Sequence, residues 1–201
     1  MPRISYHQHR EFFEQKAAAW HLPDSQAYFF HQLQQLIHWR GNEIILDIGC
    51  GPGSLFHFLQ AKIPDGKVYG IDFAFNMVKR AREKLRPQDD ALQSLAELLP
   101  LRSSSVDIII NYCLYPHLRN KILALREYYR VLVPGGKYYI LHHQGSAEVN
   151  YLHWNLGKPV CYDFIEPLEL VTARLQSDGF ELLKSIDQPG MIFIEAQKQA
   201  E

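Results

Sequence analysis

Three glycines at alternate positions, Gly49, Gly51 and Gly53, directly follow the apolar run 44–48 and precede a helix-forming stretch. Such a turn lets the backbone approach a ligand closely and presents the amide groups of a helix N-terminus to it. A strand, a glycine turn and a helix in this order predict an α/β fold with a ligand site over the carboxyl end of the strand. The alternative is a glycine-rich turn that binds nothing.

The following residues alternate in the same way between short apolar runs and longer amphipathic ones. Runs rich in Ile, Val and Leu at 43–48, 67–71, 106–112 and 137–142 predict strands that are buried on both faces. Helices are predicted at 54–61, 76–85 and 118–131, and each is followed by a segment that contains Pro. Together these elements predict a doubly wound parallel sheet.

The C-terminal region departs from this alternation. A helix predicted at 167–177 is followed by two strands, 180–186 and 191–196, with only residues 187–190 between them. Strands joined by so short a turn pair antiparallel, because a parallel crossover needs a dozen or more residues. We therefore expect an antiparallel hairpin to close the parallel sheet.

Two segments flank the predicted core, which comprises residues 43–143. Residues 1–42 are expected to form a helical cap with one helix at 10–20 and another after Asp24 and Ser25, while His7-Gln8-His9 is expected to be a frayed, exposed end. Residues 144–166 are predicted to form a lid, since connections of this length often cover a binding site. With the C-terminal helix and hairpin at 167–201, the chain is expected to form one domain, 1–201.

Composition narrows the range of partners. The 201 residues include 21 Lys and Arg against 22 Asp and Glu, for a net charge of −1, which disfavours nucleic acid as a partner. No apolar run approaches the roughly 18 to 20 residues that span a bilayer, and residues 1–20 do not resemble a secretion signal. We therefore expect a cytoplasmic protein without a membrane span, either a monomer or a homodimer. Its three separated cysteines predict neither a disulfide framework nor a metal knuckle.

An acidic residue strengthens the prediction of a nucleotide-like ligand. Asp72 ends the strand predicted after the glycine turn, where a carboxylate can accept hydrogen bonds from both hydroxyls of a ribose. Capping of the next helix is its alternative role. A dinucleotide fingerprint would require glycine where Ser54 stands, and no Tyr-x-x-x-Lys pair occurs in the expected region, so a nicotinamide-dependent oxidoreductase is disfavoured.

Motifs in one order carry a family resemblance. They are Leu46-Asp47-Ile48-Gly49-Cys50-Gly51-Pro52-Gly53, Gly70-Ile71-Asp72-Phe73 with Met77, Ala96-Glu97-Leu98-Leu99-Pro100-Leu101, Ser105-Val106-Asp107, and residues 125–136. The chain resembles class I S-adenosylmethionine-dependent methyltransferases over residues 44–196. Its N-terminal region is similar to that of the ubiquinone and menaquinone biosynthesis (type 11) enzymes. The resemblance implies a Rossmann-like, seven-stranded sheet of order 3-2-1-4-5-7-6 with strand 7 antiparallel.

The same resemblance implies S-adenosylmethionine as cofactor and assigns residues to its parts. Asp47 would orient the ammonium group, and Asp72 would bind the ribose. The other implied cofactor contacts are Gly49, Gly51 and Gly53 around the methionine part, Phe73, Met77, Ala96 and Glu97 around adenine, and Asn111 and Tyr112 near the sulfonium. Where the family often has Asp to bind the adenine amino group, this chain has Leu95.

Methyl transfer depends chiefly on alignment and on exclusion of water, so a base is needed only for a protonated nucleophile. His117 follows the fourth predicted strand and is the candidate base, with helix capping or simple packing as the alternative. A small-molecule acceptor is expected, because the Asn-Pro-Pro-Tyr type of motif is missing after Asn111. Its candidate contacts are Trp20, Tyr115, His143 and His153.

Histidines near the predicted site suggest a further alternative. His142 and His143 are neighbours on a strand, so at most one is expected to face the site. One of them could bind a metal together with His117 and His153, as in a metal-assisted methyltransferase, but no ligand-spacing motif supports this and no metal is predicted. The remaining alternative is a module that binds S-adenosylmethionine without catalysis.

Overall fold

The computed structural model describes residues 5–20 and 26–200. The strands are β1 (Ile44–Ile48), β2 (Lys67–Asp72), β3 (Asp90–Gln93), β4 (Val106–Tyr112), β5 (Leu132–His142), β6 (Phe180–Gln188) and β7 (Met191–Lys198). The α-helices are α1 (Tyr6–Lys16), α2 (Gln26–Leu36), α3 (Phe56–Lys62), α4 (Phe75–Arg82), α5 (Lys121–Val131), α6 (Ser146–Leu156) and α7 (Leu168–Ser177). Short 3₁₀ helices cover Ala17–Ala19 and Tyr115–His117.

The strands form a single sheet in the order β3-β2-β1-β4-β5-β7-β6. β1 pairs in parallel with β2 and β4, whereas β7 pairs antiparallel with β5 and β6. Gln188 pairs with Met191, so only Pro189 and Gly190 form the hairpin turn. The implied strand order and the hairpin expected from its short turn are both confirmed.

Helices cover both faces of this sheet. Ile109 of β4 packs in a core formed with α5 and α7, whereas its neighbours Ile108 and Ile110 pack in a core formed with α2, α3 and α4. Alternate residues of a strand point to opposite faces, and here both faces are buried. This arrangement explains the nearly continuous apolar runs of the central strands and confirms the doubly wound architecture.

The N-terminal cap differs from its prediction in one respect that affects the site. α1 begins at Tyr6 rather than at residue 10, because Ser5 and Gln8 form a capping box. His7, Gln8 and His9 therefore lie within a helix, so the expectation of a frayed end was wrong; His7 and Gln8 are exposed as expected, but His9 is buried. The predicted helix start at Asp24 and Ser25 falls outside the described residues.

The lid segment contains a helix, α6, that was not predicted. The short strand β3 was also absent from the apolar-run pattern.

Near the fourth strand, α5 begins at Lys121 rather than at residue 118, because the side chain of Asn120 accepts a hydrogen bond from the Leu123 N–H at 3.1 Å. Among the described helices, none combines the length and the apolar character needed to cross a bilayer.

Candidate functional site

A cavity of about 380 Å³ lies over the carboxyl ends of the central parallel strands, beneath α1 and α6. Ligands of doubly wound proteins bind at this edge of the sheet. The structure brings most of the predicted site residues to its wall. These are Trp20, Asp47, Gly49, Gly51, Asp72, Phe73, Met77, Ala96, Glu97, Tyr112, His117, His143 and His153.

Three predicted site residues do not line the cavity. Asn111 is fully buried, and its side-chain amide donates to the hydroxyl of Tyr138 at 3.2 Å on the α5 face of the sheet. Tyr115 is also buried, and its hydroxyl accepts a hydrogen bond from Arg174 at 2.8 Å. Gly53 serves packing, because a Cβ there would come within 2.9 Å of Phe56. Because none of these three residues lines the cavity, the structure does not support direct ligand contact by them.

The glycine turn is a cradle of backbone. Gly49 and Gly51 have φ angles of 69° and 53°, which L side chains rarely adopt. The N–H of Gly49 donates to the carbonyl of Ile71 at 2.7 Å, which holds the turn against β2. A Cβ at Gly51 would meet no atom within 4 Å, so this backbone borders open space in the cavity. The turn can therefore contact a ligand directly.

Two buried carboxylates face the cavity beside this turn. Asp72 accepts hydrogen bonds from the N–H groups of Ala74 at 2.8 Å and Gly51 at 3.0 Å. Burial raises the pKa of Asp72 to about 6, although these hydrogen bonds oppose the rise. Burial also raises the pKa of Asp47 to about 8, and the nearby charge of Asp72 adds to the effect. Carboxylates desolvated in this way favour a cationic ligand.

The adenine side of the predicted site is apolar. Phe73 and Met77 line the cavity, and the ring of Phe13 from α1 lies 5.7 Å from that of Phe73. Glu97 also lines the cavity, but its carboxylate accepts hydrogen bonds from the N–H groups of Arg119 at 3.1 Å and Asn120 at 3.2 Å. Glu97 thus stabilises the chain entering α5.

The helix α1 is fastened over the cavity by a carboxylate that sequence reasoning missed. Glu14 accepts hydrogen bonds from the N–H groups of Phe75 at 2.7 Å and Asn76 at 2.8 Å, at the start of α4. It supplies a cap that Ala74, the N-cap residue of α4, does not provide. Arg80 of α4 in turn donates to the carbonyl oxygens of Ala17 and Trp20. The cap is therefore tied to the cofactor half of the sheet.

One residue of the lid, Asp163, gathers three histidines from separate elements. Its Oδ2 lies 2.8 Å from both Nδ1 of His117 and Nε2 of His9, and its carbonyl oxygen lies 2.5 Å from Nδ1 of His153. Burial alone would raise the pKa of Asp163, but the hydrogen bonds with His117 and His9 outweigh burial and lower it to about 2. Because Asp163 engages Nδ1 of His117, Nε2 is the ring nitrogen available to a ligand. The length of the lid segment pointed to this region but not to the residue.

A second cluster lies at the ends of β4 and β5. His142 and His143 both line the cavity, which corrects the expectation that only one would face it. The reason is that β5 ends at His142, so strand alternation no longer applies to His143. Nδ1 of His143 lies 3.0 Å from the Tyr112 hydroxyl, and burial lowers the pKa of both histidines. Cys113 completes the cluster.

Comparisons with known proteins agree with this architecture. The sequence profile of a family described as a methyltransferase domain matches residues 46–140. A 2-phytyl-1,4-naphtoquinone methyltransferase from Thermosynechococcus vestitus is 33% identical over 167 residues, which cover 69% of this chain and 72% of that protein. A demethylmenaquinone methyltransferase from Lactococcus lactis is 38% identical over 46% of this chain and 39% of its own length.

Solved structures extend the similarity over nearly the whole chain. A SAM-dependent methyltransferase from Aquifex aeolicus superposes with a TM-score of 0.72 at 21% identity, covering 92% of this chain and 97% of that one. At this identity, the likeness establishes the fold.

The chain spans 29%, 39% and 44% of the lengths of three curated relatives, so their similarity to it concerns less than half of each.

Proposed function

The chain belongs to the family of S-adenosylmethionine-dependent methyltransferases, and we propose that it transfers a methyl group from this cofactor to a small-molecule acceptor, releasing S-adenosylhomocysteine. The observation that carries the proposal is the pair of buried carboxylates, Asp47 and Asp72, beside the backbone cradle of Gly51. S-adenosylmethionine carries an ammonium and a sulfonium group, which such carboxylates attract.

The cavity residues fit this cofactor. Asp47 would pair with the ammonium group, and Asp72, oriented by two backbone N–H groups, would accept hydrogen bonds from the ribose hydroxyls. Phe73 and Met77 would pack against adenine. We assign Glu97 to positioning the start of α5, because its carboxylate already holds two backbone N–H groups there.

Methyl transfer requires little from the protein besides alignment of the cofactor with the acceptor. The cofactor supplies a methyl group that is already activated, so the enclosing cap and lid would contribute by excluding water. For an acceptor with a protonated nucleophile, His117 is the proposed base, and its Nε2 would take the proton. Asp163 positions it by holding Nδ1 at 2.8 Å, which fixes the orientation of the ring.

An apolar acceptor with a ring system fits the part of the cavity that the lid covers. Leu152, Leu156 and Val160 come from the lid and Phe12 comes from the cap, whereas Trp20 packs in one cluster with Phe73 and Met77. His143 and His153 add polar groups. The two relatives described above are named as methyltransferases of a demethylmenaquinone and of a 2-phytyl-1,4-naphtoquinone, which supports the same class of acceptor.

We also propose that the protein acts in the cytoplasm on its small-molecule acceptor without nucleic acid, as a monomer or homodimer. A net charge of −1 supports the absence of a nucleic-acid partner, because such partners require a concentration of positive charge. Light scattering coupled to size exclusion measures the oligomeric state. An electrophoretic retardation assay with RNA and DNA tests whether the protein binds nucleic acid.

Calorimetric titration with S-adenosylmethionine tests the cofactor proposal. Asp72→Asn should weaken binding by roughly tenfold to a hundredfold, because a hydrogen bond to a charged group contributes about 1.5 to 3 kcal/mol. Asp65→Asn is the matched control, since Asp65 is exposed and precedes β2 at the opposite edge of the sheet. Unchanged affinity in a folded Asp72→Asn variant would remove Asp72 from the site.

Transfer of a labelled methyl group to a panel of small ring compounds tests the catalytic proposal. His117→Ala should bind S-adenosylmethionine normally but lose transfer by about a hundredfold or more to acceptors with a protonated nucleophile. Tight binding of the cofactor by the wild-type protein, with no transfer to any acceptor, would support a non-catalytic binding module instead.

A further inference from the structure

The cluster at the ends of β4 and β5 has the composition of a metal site. Ligand atoms of Cys113, His142 and His143 all lie within 4.8 Å of one another, and all three residues line the cavity. One thiolate and two imidazoles form a donor set that suits zinc. His117 and His153 contact Asp163 instead, so the ligand set differs from the one that the sequence suggested.

One distance within the cluster matches a tetrahedral centre. Sγ of Cys113 lies 3.4 Å from Nδ1 of His143. With Zn–S near 2.3 Å and Zn–N near 2.0 Å, the sulfur and nitrogen ligands of one zinc ion lie about 3.5 Å apart. The protein therefore already holds these two atoms at the separation that two ligands of one zinc ion require.

One observation points to a missing ligand at this place. His142 is buried, with 6% of its surface exposed, and its Nδ1 has no hydrogen-bond partner among the residues that the structure describes. A buried polar atom without a partner is costly unless something binds it. Cys113 adopts a left-handed backbone with φ of 56°, a strained conformation that clusters at functional sites.

We propose that Cys113, His142 and His143 bind one zinc ion, with the fourth coordination position open to the cavity. Three protein ligands and one exchangeable position are typical of catalytic rather than structural zinc. Zinc at Nδ1 of His143 would replace the hydrogen bond that this atom makes with Tyr112 at 3.0 Å. The proposal concerns metal binding alone and does not depend on methyl transfer.

Cobalt(II) titration of chelator-treated protein tests the proposal, because cobalt reports its ligands by absorption. We expect one cobalt ion per chain, a thiolate-to-cobalt charge-transfer band and the visible bands of tetrahedral cobalt, all removed by one equivalent of zinc. Cys113→Ser should abolish the charge-transfer band and weaken zinc binding more than tenfold, since even loss of an outer-shell partner costs that much. His143→Gln should weaken zinc binding in the same way.

Two other cysteines supply matched controls. Cys161→Ser and Cys50→Ser should keep the band, because Cys161 is buried away from the cavity and Cys50 lines it outside the cluster. Circular dichroism and thermal unfolding establish that each variant is folded. A wild-type spectrum without a thiolate band, a band that persists in folded Cys113→Ser, or a band lost in Cys50→Ser would each overturn the proposal. Calorimetry with S-adenosylmethionine measures the proposed cofactor site separately.

Discussion

A single buried carboxyl, that of Asp47, makes cofactor binding depend on pH. Burial, reinforced by the charge of Asp72, raises the pKa of Asp47 to about 8 in the free protein, so near neutrality the group holds a proton. That proton must leave before the carboxylate can pair with an ammonium group. We expect the affinity for S-adenosylmethionine to rise between pH 6 and pH 8, by up to about tenfold per pH unit. Calorimetry across this range measures it.

The matched control for this prediction is Asp47→Asn, which cannot ionise. Its affinity should be weak throughout and nearly independent of pH between 6 and 8. A wild-type affinity that stays constant over the same range would contradict the proposed role. The stability of the free protein should depend on pH in the opposite direction. The contribution of Asp47, whose pKa is raised, is fully present below the ordinary carboxyl pKa and is lost as pH rises towards 8.

The period of two along a strand explains which predicted residues of β4 line the cavity. Asn111 and Tyr112 both belong to β4, so their side chains point to opposite faces, and only Tyr112 lines the cavity. The same rule failed for His142 and His143, because β5 ends between them and the period ends with it. Sequence predicts a side-chain direction only where the strand boundary is known.

At the scale of elements, α1 acts as a cover that Glu14 holds in place through two backbone N–H groups of α4. Loss of these charged hydrogen bonds should make it easier for α1 to lift from the cavity. We therefore expect Glu14→Gln to speed dissociation of S-adenosylhomocysteine by about tenfold. Stopped-flow fluorescence measures this rate, since Trp20 lines the cavity.

Glu11→Gln provides the control on the same helix, because Glu11 is exposed to solvent. This variant removes the same charge but should leave the dissociation rate unchanged. Equal acceleration in both variants would mean that the net charge of α1, rather than its attachment to α4, sets the rate.

Elements were predictable where one pattern dominated their residues. The central strands are apolar on both faces, and the short turn after Gln188 allowed only an antiparallel pairing. α6 escaped detection because its polar and apolar residues are not segregated to opposite faces, so no polar face marks its period; Tyr151 and Trp154 are exposed although His153 is buried. β3 is four residues long and begins and ends with exposed polar side chains, so it resembles a loop.

At the scale of the whole molecule, Asp163 links residues that are far apart in sequence. Its hydrogen bonds with His117 and His9 lower its pKa to about 2 despite burial, so the charged form stabilises the folded protein. Asp163→Asn should lower the free energy of unfolding at pH 7 by about 2 kcal/mol. For a chain of this size, that corresponds to a melting temperature lower by about 4 to 8 °C.

The pH dependence distinguishes this effect from general damage to the fold. A lowered carboxyl pKa stabilises above the unfolded value, near 4, and its contribution is lost as pH falls towards 2. The difference between wild-type and Asp163→Asn proteins in urea unfolding should therefore shrink over that window. A difference that persists at pH 2 would show that the carboxylate is not its source. Asp65→Asn, at an exposed position, should change stability little at either pH.

No sequence pattern joins His9 to Asp163, because 154 positions separate them and only the folded sheet brings them together. This one carboxylate lies in the lid and binds the cap through His9, so we expect the cap and the lid to open together while this contact is kept. The methyl donor and the acceptor would then be enclosed together or exposed to water together. The methylated product and S-adenosylhomocysteine would leave during the same opening. Asp163→Asn should then speed dissociation of S-adenosylhomocysteine, as we expect for Glu14→Gln, although Asp163 does not line the cavity.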